Sequence, residues 1–443
     1  MDDADTIAAV ATAPGVGGVG VIRVSGERVP DILIKVVGRA LSPRVAGFVR
    51  FADDAGELID EGLALYFPGP RSYTGEDVLE IHGHGGPVVL RRLLARCLSF
   101  GARLAQPGEF TKRAFLNGKM DLAQAEAVAD LIVARTDQAA RSAARSLGGE
   151  FSRRIQSFQT ELTQLRVIVE GSIDFPEEGI DFLQDAAVRH RMSALLALVE
   201  GALRAGEIGR VQQEGLCAVL VGPTNSGKSS IINMLCMDDV AIVSPFPGTT
   251  RDLVRAPIQI DGVPIEIIDT AGLRVTPDLI ERLGIERTRK AVGTADVVVV
   301  VSDCSGEAAL DASMLSELPS HARWLRVHNK IDLVGLSPRT LVGEEGTEVW
   351  VSALTGEGRE DLRRALVADC GGGAEEAFAA RTRHLVALRA CRGSLKQALD
   401  LLDQVELLAE ELREAQRALG EITGDFVADD LLGEIFASFC IGK

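Results

Sequence analysis

Apolar residues recur along this chain at three different spacings, and each change of spacing marks a boundary. Through residue 118 the chain is Gly-rich, with short β-like runs at Val19–Val24, Leu63–Phe67 and Val78–Ile81. The segment after Pro87, VVLRRLLARCLSF, predicts an amphipathic helix. This first zone, 1–118, reads as a small α+β domain. From 119 to 208, Ala, Leu, Arg, Gln and Glu dominate, and apolar positions return every third or fourth residue. LAQAEAVADLIVARTDQAARSAARSL predicts one long helix, and Phe151–Glu170 a second that ends near Gly171. The same style returns over 372–443, in RTRHLVALRACRGSLKQALDLLDQVELLAEELREAQRAL, so both stretches read as helical bundle.

Between them, over 209–371, the spacing changes again. Strand-like runs at Cys217–Val221, Ile265–Ile268, Val297–Val301, Trp324–Val327 and Val349–Val351 alternate with helix-like segments. That alternation predicts a mainly parallel sheet with helices on both faces. GGG at 371–373 marks its exit. The expected fold is multidomain α/β and α+β, with the sheet domain inserted into a discontinuous helical domain whose halves pack together.

Composition narrows the function classes. The 443 residues suggest about two to four domains. A hydrophobic fraction of 46% and a charged fraction of 25% are globular, and a net charge of -17 repels nucleic-acid phosphates on average. Service to RNA would then need a local patch or a partner. Seven widely spaced Cys without a CxxC argue against a disulfide framework or a zinc site. The first residues, MDDADTIAAV, lack the character of a signal peptide, and no apolar run reaches the roughly 18 residues of a membrane span. The expected location is the cytoplasm.

Three motifs carry the chemistry. Gly222-Pro223-Thr224-Asn225-Ser226-Gly227-Lys228-Ser229 fits G-x-x-x-x-G-K-[ST], follows the strand LCAVLV and precedes a helix opening at Ser230. That context is a phosphate loop: backbone N–H groups surround the β-phosphate, Lys228 reaches the β and γ oxygens, and Ser229 ligates Mg²⁺. Asp269-Thr270-Ala271-Gly272 ends the strand IEIID; Asp269 holds the Mg²⁺ shell and Gly272 lets backbone approach the γ-phosphate. Asn329-Lys330-Ile331-Asp332 follows WLRV. The Asp332 carboxylate accepts from N1–H and the exocyclic amine of guanine, donors that adenine lacks. Ser352-Ala353-Leu354 supports the same base. Gly248-Thr249-Thr250-Arg251-Asp252 reads as a switch, with Thr250 completing the Mg²⁺ site.

These residues resemble the translation-factor-related GTPases. The chain further resembles the MnmE/TrmE tRNA-modification GTPase family, through DTIAAVATAPGVGGVGVIRVSG, YTGEDVLEIHGHGGP, PGEFTKRAFLNGKMDLAQAEAVADLI, GTTRD and the final FCIGK. The resemblance covers the whole chain. It implies a Ras-like G domain and an N-terminal tetrahydrofolate-binding and dimerisation domain. Two positions depart from the family pattern, Thr224 and Ser244, and put nucleotide and ion affinity in question. Ras-like enzymes carry Gln after DxxG to orient water, whereas this chain has Leu273. No arginine finger is evident from sequence, although Arg251 and Arg274 are near enough to be considered. The resemblance implies another arrangement: K⁺ held by Asn225, Ser244, Phe246 and Thr249, Glu281 orienting the attacking water, and two G domains meeting across the nucleotide.

The resemblance also implies that Arg23, Glu80, Lys119 and Lys443 bind 5-formyl- or methylene-tetrahydrofolate. Cys440 is either a thiol in the chemistry or a buried small residue. His82 and His84 invite a metal, yet no third ligand is evident nearby. The implied partners are a second copy, the flavoprotein MnmG with its FAD and NADH, and tRNA held mostly by that flavoprotein. Together they would add a carboxymethylaminomethyl or aminomethyl group at C5 of the wobble uridine. Two rivals remain: a ribosome-assembly GTPase, which predicts a basic appendage, and a folate-dependent one-carbon transferase with a regulatory GTPase.

Overall fold

The computed structural model describes residues 5–134, 136–174, 186–223, 225–236, 254–269, 293, 295–306, 322–343, 346–368, 378–425, 429–437, 439 and 442. Two compact units divide the chain. One is Met1–Val133 with Ala144–Glu200 and Val386–Lys443; the other is Ala134–Ala143 with Gly201–Leu385.

The first unit opens with a six-stranded sheet of β1 (Ile7–Val10), β2 (Gly17–Ser25), β3 (Gly47–Ala52), β4 (Leu58–Phe67), β5 (Val78–Gly85) and β6 (Arg103–Leu104), in the order β3-β4-β5-β2-β1-β6. Its pairings are antiparallel except β1 with β6. Helices α1 (Val29–Val37) and α2 (Pro87–Ser99) bury their apolar stripes on the sheet, closing a core around Ile22, Phe51, Ile81, Ile32 and Leu93. Strands β1, β3 and β6 escape the sequence reading because β1 is four small or branched residues, β6 is two, and β3 buries only Val49 and Phe51.

Helices α3 (Glu109–Leu116), α4 (Leu122–Val133), α5 (Asp137–Leu147), α6 (Glu150–Asp174) and α7 (Ala186–Glu214) follow. The expected single helix over 122–147 is two. Thr136 accepts from the N–H of Ala139 on Oγ1 at 3.1 Å, an N-cap that starts α5 anew. The expected stop at Gly171 is also corrected, since α6 continues to Asp174. A helical glycine costs only about 1 kcal/mol, and packing outweighs it here. Buried Ile155, Phe158, Leu162, Leu165 and Val169 form one stripe of α6.

The second unit holds a seven-stranded sheet of β7 (Leu216–Val221), β8 (Val254–Ile260), β9 (Val263–Asp269), β10 (Val297–Asp303), β11 (Arg323–Asn329), β12 (Arg339–Gly343) and β13 (Gly346–Trp350), ordered β12-β13-β11-β10-β7-β9-β8. The five predicted strands are all present and run parallel to one another. The two outer pairings, β8 with β9 and β12 with β13, are antiparallel, and those outer strands were not predicted. Every residue of β12 is exposed, so it shows no buried face for a periodicity to reveal. Alternate residues of the central strands enter two clusters. Leu220, Val299 and Val327 pack with Ile231 of α8 (Lys228–Cys236) and Leu362 of α10 (Arg359–Leu366), whereas Val219, Val298 and Val300 form the other cluster. A short helix α9 (Ile331–Val334) follows β11.

The chain returns to the first unit through α11 (Thr382–Asp400), α12 (Val405–Thr423) and α13 (Asp429–Ala437). Leu408, Leu412, Ala415 and Leu419 give α12 its buried face. Gln416 fixes it to α6, accepting from Arg166 at 2.7 Å and donating to Thr163 at 3.1 Å.

Candidate functional site

In a parallel sheet the strand C-termini share one edge, which gathers the loops that follow them. The phosphate loop leaves β7 there. Its backbone turns through positive φ at Gly222 (149°), Asn225 (65°) and Gly227 (95°). A Cβ on Gly222 would stand 2.2 Å from the carbonyl oxygen of Val301, and one on Gly227 would stand 2.1 Å from Asn329 Nδ2. Only glycine fits either place.

Lys228 lies buried at the start of α8 and donates to the carbonyls of Gly222 at 2.8 Å and Pro223 at 2.7 Å. Burial holds its pKa below the ordinary lysine value, with Asp269 opposing that shift. Ser229 Oγ donates to Asp269 Oδ2 at 3.0 Å, joining the helix start to the tip of β9. This pair of hard oxygens suits Mg²⁺. Ser230 is exposed on the next position of α8. Asn225 is exposed, whereas Ser226 is buried and its Oγ has no hydrogen-bond partner among the described residues.

The residues expected to recognise the base meet the same loop. Asn329, buried at the end of β11, donates from Nδ2 to the Ser226 carbonyl at 2.9 Å and accepts on Oδ1 from the N–H of Ala353 at 3.0 Å. Ser352 Oγ donates to Asp332 Oδ1 at 2.6 Å and accepts from the N–H of Thr355 at 3.2 Å. The Ser352-Ala353-Leu354 segment therefore steadies Asn329 and Asp332 directly, while Leu354 is exposed. Lys330 takes a left-handed φ of 67°, and its Nζ meets Asp303 Oδ2 at 2.5 Å. Asp303 was missed by sequence reading; its signal was an acid closing the apolar run VVVVVSD.

Thr224, Ser244, Phe246, Thr249, Thr250, Thr270, Ala271, Gly272, Leu273 and Glu281 lie outside the described residues, as do Cys440, Lys443 and the 371–373 glycines.

In the first unit, Arg23 and Glu80 are opposed residues of β2 and β5, bonded at 2.9 Å. The Arg23 guanidinium lies 5.1 Å from the centre of the Tyr73 ring and 5.8 Å from that of Phe110. His82 Nε2 stands 3.4 Å from Glu80 Oε2. Lys119 donates to the Pro70 carbonyl at 2.8 Å, in the loop that carries Tyr73. Near the chain end, a Cβ on Gly442 would stand 2.3 Å from the carbonyl oxygen of Val10, so this backbone lies against the end of β1. His84 is committed to Asp60 through Nδ1 at 2.7 Å, and among the described residues no group of three His, Cys, Asp or Glu could hold a metal.

Comparison with known proteins places these features in a family. The model of the GTP-binding protein TrmE N-terminus matches residues 6–119, and that of the MnmE helical domain matches residues 122–440. A tRNA modification GTPase MnmE of Nitrosomonas europaea is 52% identical over 100% of both chains. That of Thiobacillus denitrificans is 55% identical over 99% of this chain and 98% of its own. A solved structure of an Aquifex aeolicus Era variant bound to GDP.AlF4- is 23% identical over 40% of this chain and 66% of its own, with a TM-score of 0.28.

Proposed function

The chain belongs to the MnmE family of tRNA modification GTPases, and on that premise we propose that it hydrolyses GTP to drive modification of C5 of the wobble uridine in certain tRNAs. It would act with the flavoprotein MnmG and its FAD and NADH, using a tetrahydrofolate one-carbon unit to add a carboxymethylaminomethyl or aminomethyl group. The observation that carries this reading is the braced nucleotide cradle, in which Asn329 ties the phosphate loop to the base-recognition segment.

Within the cradle each residue has a task. Lys228 balances phosphate charge and the loop N–H groups bind the β-phosphate. Ser229, Asp269 and Thr250 would hold Mg²⁺, which supplies charge neutralisation of the β and γ oxygens. Asp332 selects guanine. Asn225, Ser244, Phe246 and Thr249 would hold K⁺, which supplies positive charge at the phosphates. Glu281 orients water, since Leu273 has no group to do so. Two G domains of a homodimer complete the site.

The folate reading draws on three features of the first unit. Arg23 and Glu80 offer paired charges beside two aromatic rings, suited to the amidine edge of a flat pterin ring. Lys119 offers a cation for a glutamyl tail. The backbone of Gly442 lies against the end of β1, the strand paired with that of Arg23. The acidic net charge suits a chain whose partner holds most of the tRNA. A tRNA substrate suits work in the cytoplasm.

Mass analysis of wobble nucleosides in a strain deleted for this chain tests the proposal. The C5-modified uridines should disappear and return with the wild-type chain. Normal nucleosides combined with accumulated ribosome precursors would instead favour an assembly GTPase.

A further inference from the structure

We infer that Asp303 is a positioning residue for the guanine pocket: by holding the Lys330 ammonium, it fixes the lysine stem as a wall of the base site. This rests on the reading of Lys330 and Asp332 as the base-recognition residues.

Two separate constraints meet at Lys330. Its backbone is left-handed, φ 67°, which is unfavourable for a residue with a Cβ and swings its side chain out of the line of β11. Its ammonium then meets Asp303 Oδ2 at 2.5 Å, at the C-terminal end of the neighbouring strand β10. With both ends fixed, the four-carbon stem between them has few rotamers left. Such a stem offers apolar surface to a flat ring while its charge is neutralised elsewhere.

Asp303 is itself built to hold that charge. Its Oδ1 accepts from the N–H of Ser305 at 2.8 Å and from Ser305 Oγ at 2.6 Å, which leaves Oδ2 for Lys330. The Lys330 bond, then the two Ser305 bonds, hold its carboxyl down at about 2, so it stays ionised at any physiological pH. The backbone keeps register as well. Asp303 pairs with Asn329 across the parallel strands, and the N–H of Cys304 donates to the Asn329 carbonyl at 2.9 Å. The strand end that supplies the anchor is therefore bonded to the residue that braces the phosphate loop. A lysine left free would sample many rotamers, and nucleotide binding would have to order it each time.

The test is a double-mutant cycle on the full chain, reading the dissociation rate of a fluorescent GDP chased with excess GDP. Asp303→Asn should raise that rate about tenfold, the scale of a partly exposed charged hydrogen bond. Lys330→Met keeps an unbranched stem and should raise it comparably. If Asp303 acts through Lys330, the double variant should be no faster than the faster single one. Asp303→Glu, which keeps the charge, should recover part of the loss, as a merely structural role in the β10 turn would not. Multiplying effects in the double variant, or a wild-type rate in Asp303→Asn, would overturn the inference. A wild-type rate in Lys330→Met would remove its premise about the lysine. The guanine site itself is judged separately, by whether Asp332→Asn loses GDP.

Discussion

Asn329 donates from its amide to the carbonyl of Ser226 at 2.9 Å, a buried bond between residues 103 positions apart. The same amide accepts from the N–H of Ala353. One side chain thus joins the proposed phosphate loop to the segment proposed to lie behind the base. Asn329→Ala would strand the buried Ser226 carbonyl and the Ala353 N–H, at a cost of about 1–3 kcal/mol for each unpaired group. GDP affinity measured by calorimetry should fall by about 10- to 100-fold. Unchanged affinity would show that the bridge does not matter to binding.

Base choice should follow Asp332. Ser352 Oγ occupies one side of its Oδ1 at 2.6 Å, which orients the carboxylate towards a donor pair. Asp332→Asn replaces an acceptor edge by a mixed one. Binding of GTP should drop by about 10²-fold or more while xanthosine triphosphate gains, because a site built for donors rejects their absence strongly. Titration with both nucleotides checks this, and retained GTP binding would remove Asp332 from the base site.

The parts of this site that were legible in sequence are local ones. The phosphate loop joins a strand, a glycine-permitted turn and a helix start within a few residues, so Gly222 and Lys228 announce themselves. The partnership of Asp303 with Lys330 joins two strands and depends on their parallel register, which spacing alone does not give. The same limit hid β8 and β12, outer strands whose pairing partners had to be known first. The break between α4 and α5 was missed for a different reason. Apolar spacing runs smoothly through 122–147, whereas the Thr136 hydroxyl takes a backbone N–H and starts a second helix.

Glu281 is expected to orient water for attack on the γ-phosphate. Leu273 has no polar atom for that task, and positioning supplies most of the acceleration in phosphoryl transfer. Glu281→Ala should keep GTP affinity and lose about 10²- to 10⁴-fold in single-turnover hydrolysis. Hydrolysis at the wild-type rate would assign the water to another group.

The Arg23–Glu80 pair should decide folate binding. Each holds the other at 2.9 Å with side chains about one-fifth exposed, 18% and 19%. Arg23→Gln leaves Glu80 with only His82 among its described ion-pair partners. Calorimetry with 5-formyl-tetrahydrofolate should show affinity lowered by about tenfold or more, since a charged, part-buried hydrogen bond is lost. GTP hydrolysis should stay near the wild-type rate. Equal folate binding by the variant would place the site elsewhere in the chain.

The last prediction concerns acid sensitivity of the first unit. Arg103 and Arg113 are shared by three carboxylates. Arg103 meets Asp5 and, at 2.5 Å, Glu109; Arg113 meets Asp5 at 2.8 Å, Glu76 at 3.1 Å and Glu109 at 3.2 Å. Arg113 also donates to the Asp5 carbonyl at 2.7 Å, so the cluster ties α3 to the residue leading into β1. Burial pushes Glu109 up, but the Arg103 bond, the Gln106 N–H and Arg113 outweigh it and leave the carboxyl below its usual 4.5. Asp5 is lowered below 3.8, chiefly by the Arg103 hydrogen bond, against burial. Carboxyls depressed in the folded state contribute stability that is present above their unfolded pKa values. That contribution disappears as pH falls through the lower folded values. The stabilising window therefore closes below about pH 4.5, whereas both guanidinium groups remain charged throughout. Glu109→Gln removes a charged acceptor shared by Arg103 and the 8%-exposed Arg113, which keeps Asp5 and Glu76. At pH 7 hydrogen exchange of the β1 and α3 amides should quicken by about tenfold, a loss of one charged hydrogen bond. Repeated at falling pH, and corrected for intrinsic exchange, the gap between variant and wild type should narrow below about pH 4.5 as the wild-type carboxyl takes up its proton. A gap that holds constant down to pH 3, about a unit and a half below the ordinary glutamate value, would mean Glu109 acts by shape rather than charge.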